Sequence, residues 1–174
     1  MDRPNSKELD IIIPAFRMHS QIFDNLFDGI EQKDVLTRIE GRTNHIIWMT
    51  GNLVNCRYWL AGTIGIPDVD PNDHLFGMAK ALDESLEYPS LKELQAQWHT
   101  ISPKVYKRLV QTSDETLAEP IEIGMKVDFV EQNKLNMIGM TIDRESYLFG
   151  QIGLMRRILG YPGVSYTINN ALDY

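Results

Sequence analysis

The stretch "RESYLFGQIGLMRRILGYPG", from Arg144 to Gly163, decides how this chain is interpreted. Charged residues open it, apolar residues follow at helical spacing, and a Gly-Pro-Gly cluster closes it. Together with Ile138 and Ile142 upstream, its apolar positions share one face of a helix. The pattern therefore predicts a long amphipathic helix that ends at Gly160. Three further segments show the same period.

Two of these segments lie nearer the N-terminus. In the first, apolar residues from Ile12 to Ile30 step by three and four positions, and Pro14 suits a first helical turn because that position needs no backbone N–H. In the second, the apolar positions run from Ile46 to Ile64. Thr43 or Asn44 is expected to cap this second helix, since either side-chain oxygen can accept from its unpaired N–H groups.

The third helix is predicted from Leu91 to Leu109, and a capping signal precedes it. Ser90 followed by Glu93 is typical of a capping box, in which each side chain accepts from the other residue's backbone N–H. Pro103 lies inside the pattern, where proline removes one N–H and clashes with the preceding turn. We therefore expect a kink or a break there.

These four segments predict an all-α protein, a four-helix bundle formed by one domain over residues 1–174. Long connections follow helices two and three. The first connection is polar and rich in turns, and it is expected to hold a short helix from about Phe76 to Leu82. The second alternates apolar and polar residues near 121–129, which is the period of a strand. Such a segment has to pair with another segment, be a loop, or pair across a dimer.

Composition and charge argue against several classes of function. The net charge of −7 and the pI of about 5.0 disfavour a broad nucleic-acid surface and binding to anionic membranes. No apolar run is long enough to span a bilayer, and the N-terminal stretch lacks the pattern of a signal peptide. With Cys56 as its one cysteine the chain forms no internal disulfide, which fits a cytoplasmic protein.

Familiar catalytic motifs are absent from the sequence, among them the phosphate-binding loop, the nucleophile elbow and the zinc-binding histidine pair. What remains is a set of polar and aromatic side chains on predicted inward faces, where helix bundles build ligand and metal sites. They are His19 in helix one, His45, Trp48, Asn52 and Trp59 in helix two, and Arg144 and Glu145 in helix four. Each of these residue types also occurs in cores and at core boundaries without any function.

Two segments, "TNHIIWMTGNLVNCRYWLAGTIG" from Thr43 to Gly65 and "RESYLFGQIGLMRRILGYPG" from Arg144 to Gly163, resemble the DinB-like superfamily of four-helix bundles. The order of four long helices, with a long link between the second and the third, agrees with that family. The resemblance implies a cytoplasmic protein, commonly a homodimer, in which three histidines often hold a divalent metal. Some members use the metal to hold a low-molecular-weight thiol as thiolate and transfer it onto electrophiles.

The three metal-binding histidines of that family are replaced in this chain. Where helix two of the family reads like W-x-x-G-H, this sequence has "WMTGN", so Asn52 stands at the ligand position. Where helix four reads like H-E-x-Y-H-x-G-Q-I, Arg144 and Leu148 stand at the two ligand positions, while Glu145 and Tyr147 are kept. Leucine cannot coordinate and arginine only donates. The resemblance therefore implies a degenerate metal site without a zinc or nickel cofactor.

Two hypotheses about function follow. In the first, a metal-free protein binds a small, anionic molecule or a protein partner in a pocket lined by His45, Trp48, Asn52, Arg144, Glu145, Tyr147 and Leu148. In the second, a zinc- or nickel-dependent transferase or hydrolase uses a relocated site at His19, His45 and Glu145. Water access beside Arg144 favours ligand binding, whereas dry packing of Leu148 against Leu53 and Trp48 favours a purely structural core.

Overall fold

The computed structural model describes residues 3–122 and 128–174, and these residues form an all-α structure. Within them four helices exceed seven residues: α1 (Ile12–Ile22), α2 (Ile46–Thr63), α4 (Leu91–Gln111) and α6 (Lys134–Ile158). Two short helices, α3 (Asp73–Phe76) and α5 (Asp114–Ala118), lie in the connections. The predicted fold class, all-α with four long helical segments, is therefore confirmed.

The long helices pack around one another. Helix α2 contacts α4 and α6, and α1 contacts the same two helices, so each long helix has two long neighbours. Buried positions cover nearly the whole circumference of α2, which is the pattern of a helix enclosed by other elements. This arrangement places the inward side chains of α2 between α4 and α6.

Two clusters of buried side chains form the core. The first surrounds the N-terminal half of α2 and includes Trp98 of α4 and Leu148 of α6. The second surrounds the C-terminal end of α2 and includes Phe16 of α1 and Ile138 of α6. Along α2, Arg57 lies between the parts that belong to these two clusters, and it is completely buried.

Several local predictions are confirmed. At the start of α4 both bonds of the capping box form, with Ser90 Oγ accepting from the backbone of Glu93 and the Glu93 carboxylate accepting from the backbone of Ser90. Gly65 and Gly160 follow α2 and α6 with φ of +79° and +89°. A residue with a side chain would be strained there, which explains why both helices stop at glycine.

The predicted cap of α2 is wrong. Neither Thr43 nor Asn44 caps this helix; the N-cap is His45, whose Nδ1 accepts from the backbone N–H of Trp48 at 3.0 Å. The Thr43 hydroxyl instead accepts from the backbone N–H of Ile39 at 2.9 Å, which stabilises the turn before the helix. An imidazole nitrogen therefore replaces the usual short side-chain oxygen at this cap.

Three element boundaries differ from the predictions. Helix α4 runs through Pro103 as one helix, because buried residues on both sides of the proline hold it against the core. Helix α1 ends at Ile22 and is followed by a 3₁₀ turn at Asp24–Leu26, so the apolar pattern continues beyond the α-helix. The short helix expected from about Phe76 to Leu82 is found earlier, at Asp73–Phe76.

The strand-like segment near 121–129 includes residues 123–127, which lie outside the described residues. The chain on either side of it pairs with itself: Pro120 and Asn133 form an isolated antiparallel bridge, and Ile121 N donates to Gln132 O at 3.1 Å. The described parts of the chain contain no longer β-ladder. The residues that flank this segment are therefore held together beside the start of α6.

Among the described residues, no helix combines the length and the apolar character that crossing a membrane requires.

Candidate functional site

A buried ion pair joins α2 to α6 in the middle of the fold. The side chains of Arg57 and Glu145 are fully buried. Arg57 Nε donates to Glu145 Oε1 at 2.7 Å, and Arg57 Nη2 donates to Glu145 Oε2 at 3.0 Å. Two parallel bonds between a guanidinium and a carboxylate are the strongest and most directional form of an ion pair in proteins.

Aromatic rings of two other helices enclose the Arg57 guanidinium. Its carbon lies 3.6 Å from the ring centroid of Phe16 in α1 and 4.1 Å from that of Trp98 in α4. The remaining N–H groups donate to Ser20 Oγ at 3.2 Å and to Phe16 O at 3.4 Å. Burial lowers the pKa of Arg57 from its ordinary value and Glu145 opposes that shift; the guanidinium stays charged, because arginine keeps its proton in proteins.

Arg57 is the residue that the sequence interpretation missed. It is the one charged residue within α2, and it stands between apolar positions of a helix that is otherwise buried. A charge in that position needs a partner of opposite sign, because an unpaired charge in a core is very costly. The sequence thus indicated that Arg57 needs an acidic partner, but it did not show that this partner is Glu145, which is 88 positions away.

His19 of α1 extends the network. Its Nδ1 lies 2.9 Å from Glu145 Oε2, and since the carboxylate only accepts there, Nδ1 carries the proton. Its Nε2 lies 3.1 Å from Ser146 Oγ, and its ring stacks on Phe149 with centroids 4.8 Å apart. His19 and Glu145, two of the three residues of the predicted relocated metal site, are therefore in direct contact.

The order Ser146, His19, Glu145 is the order of a nucleophile, a base and an orienting acid in acyl-transfer enzymes. Such enzymes also need N–H donors for the oxyanion. Ser146 lies inside the continuous helix α6, where neighbouring backbone N–H groups already bond within the helix. Its hydroxyl also lies 3.1 Å from Ile142 O, the acceptor that a helical serine ordinarily uses. The arrangement therefore supports hydrogen bonding to a ligand better than nucleophilic attack.

Arg144 and Asn52, two of the candidate pocket residues, are in contact. Arg144 is half-buried, and its Nη2 donates to Asn52 Oδ1 at 3.1 Å, while Asn52 Nδ2 donates to Trp48 O at 3.0 Å. Within residues 3–122 and 128–174, no carboxylate forms an ion pair with Arg144. Glu145, its neighbour in sequence, is occupied by Arg57 and His19. A half-buried cation thus faces a neutral amide.

One side of this site is dry. Leu148 is buried in the same core cluster as Trp48 and Leu53. Cys56 is buried nearby, and burial raises the pKa of its thiol to about 12, a shift that the charge of Arg144 only partly opposes. The thiol is therefore neutral at physiological pH and is a poor nucleophile. Arg144, on the other side, is half-buried.

The other predicted pocket residues are not all brought together. His45 caps α2 twelve positions before Arg57, which is about 18 Å along a helix. Its ring contacts Tyr88, and burial, with a smaller effect of Arg38, lowers its pKa to about 4, so it is neutral at pH 7. Tyr147 is 61% exposed and points away from the core.

Of the two tryptophans of α2 that were predicted to face inward, one is buried and the other is partly exposed. Trp48 is buried, and its indole Nε1 has no hydrogen-bond partner among the described residues. Trp59 is 42% exposed, so the prediction that it lines the same inner side is wrong. Trp48 precedes Asn52 by four positions, one helical turn, and its backbone carbonyl accepts from Asn52 Nδ2.

These residues do not fit a divalent metal. Of the three positions that hold histidines in the DinB-like pattern, Leu148 has no donor atom, Arg144 is a cation, and the oxygen of Asn52 already accepts from Arg144. The residues of the predicted relocated metal site, His19, His45 and Glu145, are not all close together. His19 and Glu145 are in contact, whereas His45 lies at the N-terminal end of α2. No group of three His, Cys, Asp or Glu side chains with metal-binding spacing occurs within the described ranges.

A separate groove runs between α1, α6 and the segment after α6; we call it the α1–α6 groove. Its volume is about 500 Å³, and it is lined by Met18, His19, Ile22, Leu26, Ser146, Phe149, Gly150, Gly153, Leu154, Arg157, Gly163, Val164 and Tyr166. The segment after α6 is held in place by Asn25, whose Nδ2 donates to Ser165 O and Thr167 O. His19 thus faces the buried ion pair on one side and this groove on the other.

The chain matches no protein-family model, and no curated protein is significantly similar to it in sequence.

Proposed function

We propose that this chain is a metal-free, DinB-like four-helix bundle that binds a small anion at Arg144 and Asn52, between α2 and α6. The observation that carries the proposal is a half-buried guanidinium that has a neutral amide and no carboxylate as its described partner. A guanidinium has five N–H donors, and one of them goes to Asn52. The Cys56 thiol is a further hydrogen-bonding neighbour of Arg144. We propose that the donors these two residues leave unused bond to a small anion.

A second feature supports an anion at this position. The indole N–H of Trp48 is buried without an acceptor, one turn from Asn52 on α2. Buried donors are nearly always paired, since leaving one unpaired costs about 1–3 kcal/mol. An anion that accepts from Arg144 and from the indole would satisfy both groups.

The bundle assignment rests on the four long helices and on their mutual packing, α1 and α2 each against α4 and α6. The DinB-like assignment rests on the two sequence segments in α2 and α6, and the structure places their ligand positions 52 and 144 in contact. The homodimer and the cytoplasmic location expected from the resemblance belong to the same proposal. Light scattering after size-exclusion chromatography measures the first of them.

The alternative function, a zinc- or nickel-dependent thiol transferase or hydrolase with a relocated site, has less support. It needs His45 beside His19 and Glu145, whereas His45 is the N-cap of α2, twelve positions before Arg57. It also needs Glu145 as a metal ligand, and both oxygens of Glu145 already accept from Arg57. Taking that carboxylate would leave a buried arginine without its partner.

Titration calorimetry with inorganic phosphate and with acetate tests anion binding. We expect the wild-type protein to bind at least one of them, and Arg144→Gln to weaken that binding at least tenfold, because charge-assisted hydrogen bonds contribute about 1.5–3 kcal/mol each. Arg108→Gln is the matched control, since Arg108 is an exposed arginine on α4. Absence of binding by both anions, or equal binding by Arg144→Gln, refutes the anion site.

A second experiment tests the DinB-like alignment. The triple variant Asn52→His, Arg144→His, Leu148→His restores the family pattern and is expected to bind zinc or nickel, measured by elemental analysis after dialysis. The double variant that keeps Asn52 controls for metal held by two histidines alone. A triple variant that keeps its helical circular dichroism but holds no more metal than this control contradicts the alignment.

A further inference from the structure

The α1–α6 groove has the size of a small-molecule site and is not part of the Arg144 site. Its volume of about 500 Å³ falls within the usual range for ligand pockets. Its apolar lining comes from both helices and from the segment after α6, through Met18, Ile22, Phe149, Leu154, Val164 and Tyr166. Three of these, Met18, Leu154 and Tyr166, are at least half exposed, although large apolar side chains usually prefer burial.

Four positions of α6 line the floor of the groove in a row. Ser146, Gly150, Gly153 and Arg157 follow one another at steps of four, three and four residues, so they share one face of the helix. The row spans eleven positions, or about 16 Å. Gly150 keeps part of its middle open, since an added Cβ there would meet nothing within 4 Å, whereas Val164 Cγ2 lies 3.4 Å from the position of a Cβ at Gly153.

The two ends of this row are polar and differ in chemistry. At one end the Ser146 hydroxyl and His19 Nε2, 3.1 Å apart, are oriented by the buried Glu145. At the other end lies Arg157, whose guanidinium rests against Gly163; a Cβ at Gly163 would lie 2.9 Å from Arg157 Nη2. No carboxylate of the described ranges forms an ion pair with Arg157.

We infer that the α1–α6 groove binds an elongated apolar carboxylic acid. Its carboxylate pairs with Arg157, its chain lies over Gly150 and against Val164 of the apolar wall, and an oxygen at its far end bonds with Ser146 and His19. The match is one of length and polarity: a cation and a hydrogen-bonding pair at the two ends of a row of about 16 Å, with an apolar stretch between them. Pairing of Arg157 with a carboxylate would be bidentate and directional, as guanidinium geometry favours.

Calorimetric titration with three probes below their micellar concentrations tests the assignment. We expect ω-hydroxydecanoate to bind more tightly than decanoate, and decanoate to bind about tenfold more tightly than decanol, which lacks the charge. Arg157→Gln should remove the advantage of decanoate over decanol. Ser146→Ala should remove the advantage of the ω-hydroxyl group and leave decanoate unchanged.

A steric variant shows whether the probes occupy this groove. Gly150→Leu should fill the groove and reduce decanoate binding more than tenfold without unfolding the protein, because the position is helical and its Cβ meets no neighbour. Gly139→Leu is the matched control, since Gly139 also lies in α6, also has open space at its Cβ, and is outside the groove. Arg144→Gln should bind decanoate normally, which separates this groove from the anion site.

The inference is overturned if decanol binds as tightly as decanoate, or if Gly150→Leu binds decanoate as the wild type does. The first result would mean that Arg157 recognises no carboxylate. The second would mean that the acid binds elsewhere on the surface. Failure of phosphate to bind at Arg144 leaves these outcomes unaffected, because the two sites share no residue.

Discussion

Replacing Glu145 with glutamine removes the charge that neutralises Arg57 while keeping the size of the side chain. Arg57 would remain fully buried, with an amide where a carboxylate now accepts two of its N–H groups at 2.7 and 3.0 Å. Removing one partner of a buried ion pair costs about 3–5 kcal/mol, because the other charge stays desolvated without compensation. We expect Glu145→Gln to lower the unfolding free energy by that amount.

The assay is urea unfolding followed by circular dichroism, with thermal unfolding as a second measure. For a domain of this length each kcal/mol corresponds to about 2–4 °C, so the expected loss is on the order of 10 °C in Tm. Glu31→Gln is the control, since Glu31 pairs with Lys33 on the surface, where both side chains are more than half exposed. That exposed pair is expected to contribute little to stability, because water and salt screen it.

A double-mutant cycle separates the ion pair from other losses at this position. Arg57→Met alone should also be costly, because it leaves Glu145 buried with His19 as its remaining side-chain partner. The double variant Arg57→Met, Glu145→Gln should be more stable than the sum of the two single losses predicts, by at least about 2 kcal/mol. A loss below about 1 kcal/mol for Glu145→Gln, or strictly additive effects, would refute the argument.

Three further predictions concern other positions. The pKa of His45 is about 4 in the folded protein, against an ordinary value of 6.5. As the pH falls, the unfolded chain therefore protonates His45 first, and the free energy of unfolding decreases between about pH 6.5 and pH 4. His45→Asn, which keeps a capping acceptor without titrating there, should lose less stability in urea unfolding between pH 7 and pH 5; equal losses contradict the cap. Cys56, its pKa raised to about 12 by burial, should react with a thiol reagent at pH 8 only after denaturation, and rapid labelling of the native protein would show the thiol to be accessible. Gly51→Ala places a Cβ 2.0 Å from Phe76 Cζ and should destabilise by about 1–3 kcal/mol, whereas Gly62→Ala in the same helix meets nothing within 4 Å and should stabilise by up to about 1 kcal/mol; thermal unfolding of the two variants tests the opposite signs.

The local elements were readable from sequence because their determinants lie within a few residues. The Ser90–Glu93 capping box spans three positions, and it forms as predicted. The glycines after α2 and α6 mark helix ends through their own backbone freedom, which no neighbour has to supply. The cap at His45 was missed because an imidazole is a less usual cap than the hydroxyl or amide that precedes it in sequence.

The sequence by itself determined the all-α class and the four long helices. Only the tertiary structure decided which buried side chains pair with one another. Glu145 meets Arg57 from 88 positions away and His19 from 126, and helical period indicates that each faces inward but not which side chain it meets. Because a buried charge is tolerated only when its partner arrives from another helix, the pairing depends on how α1, α2 and α6 pack. The α1–α6 groove has the same origin, since two helices and the segment after α6 enclose it together.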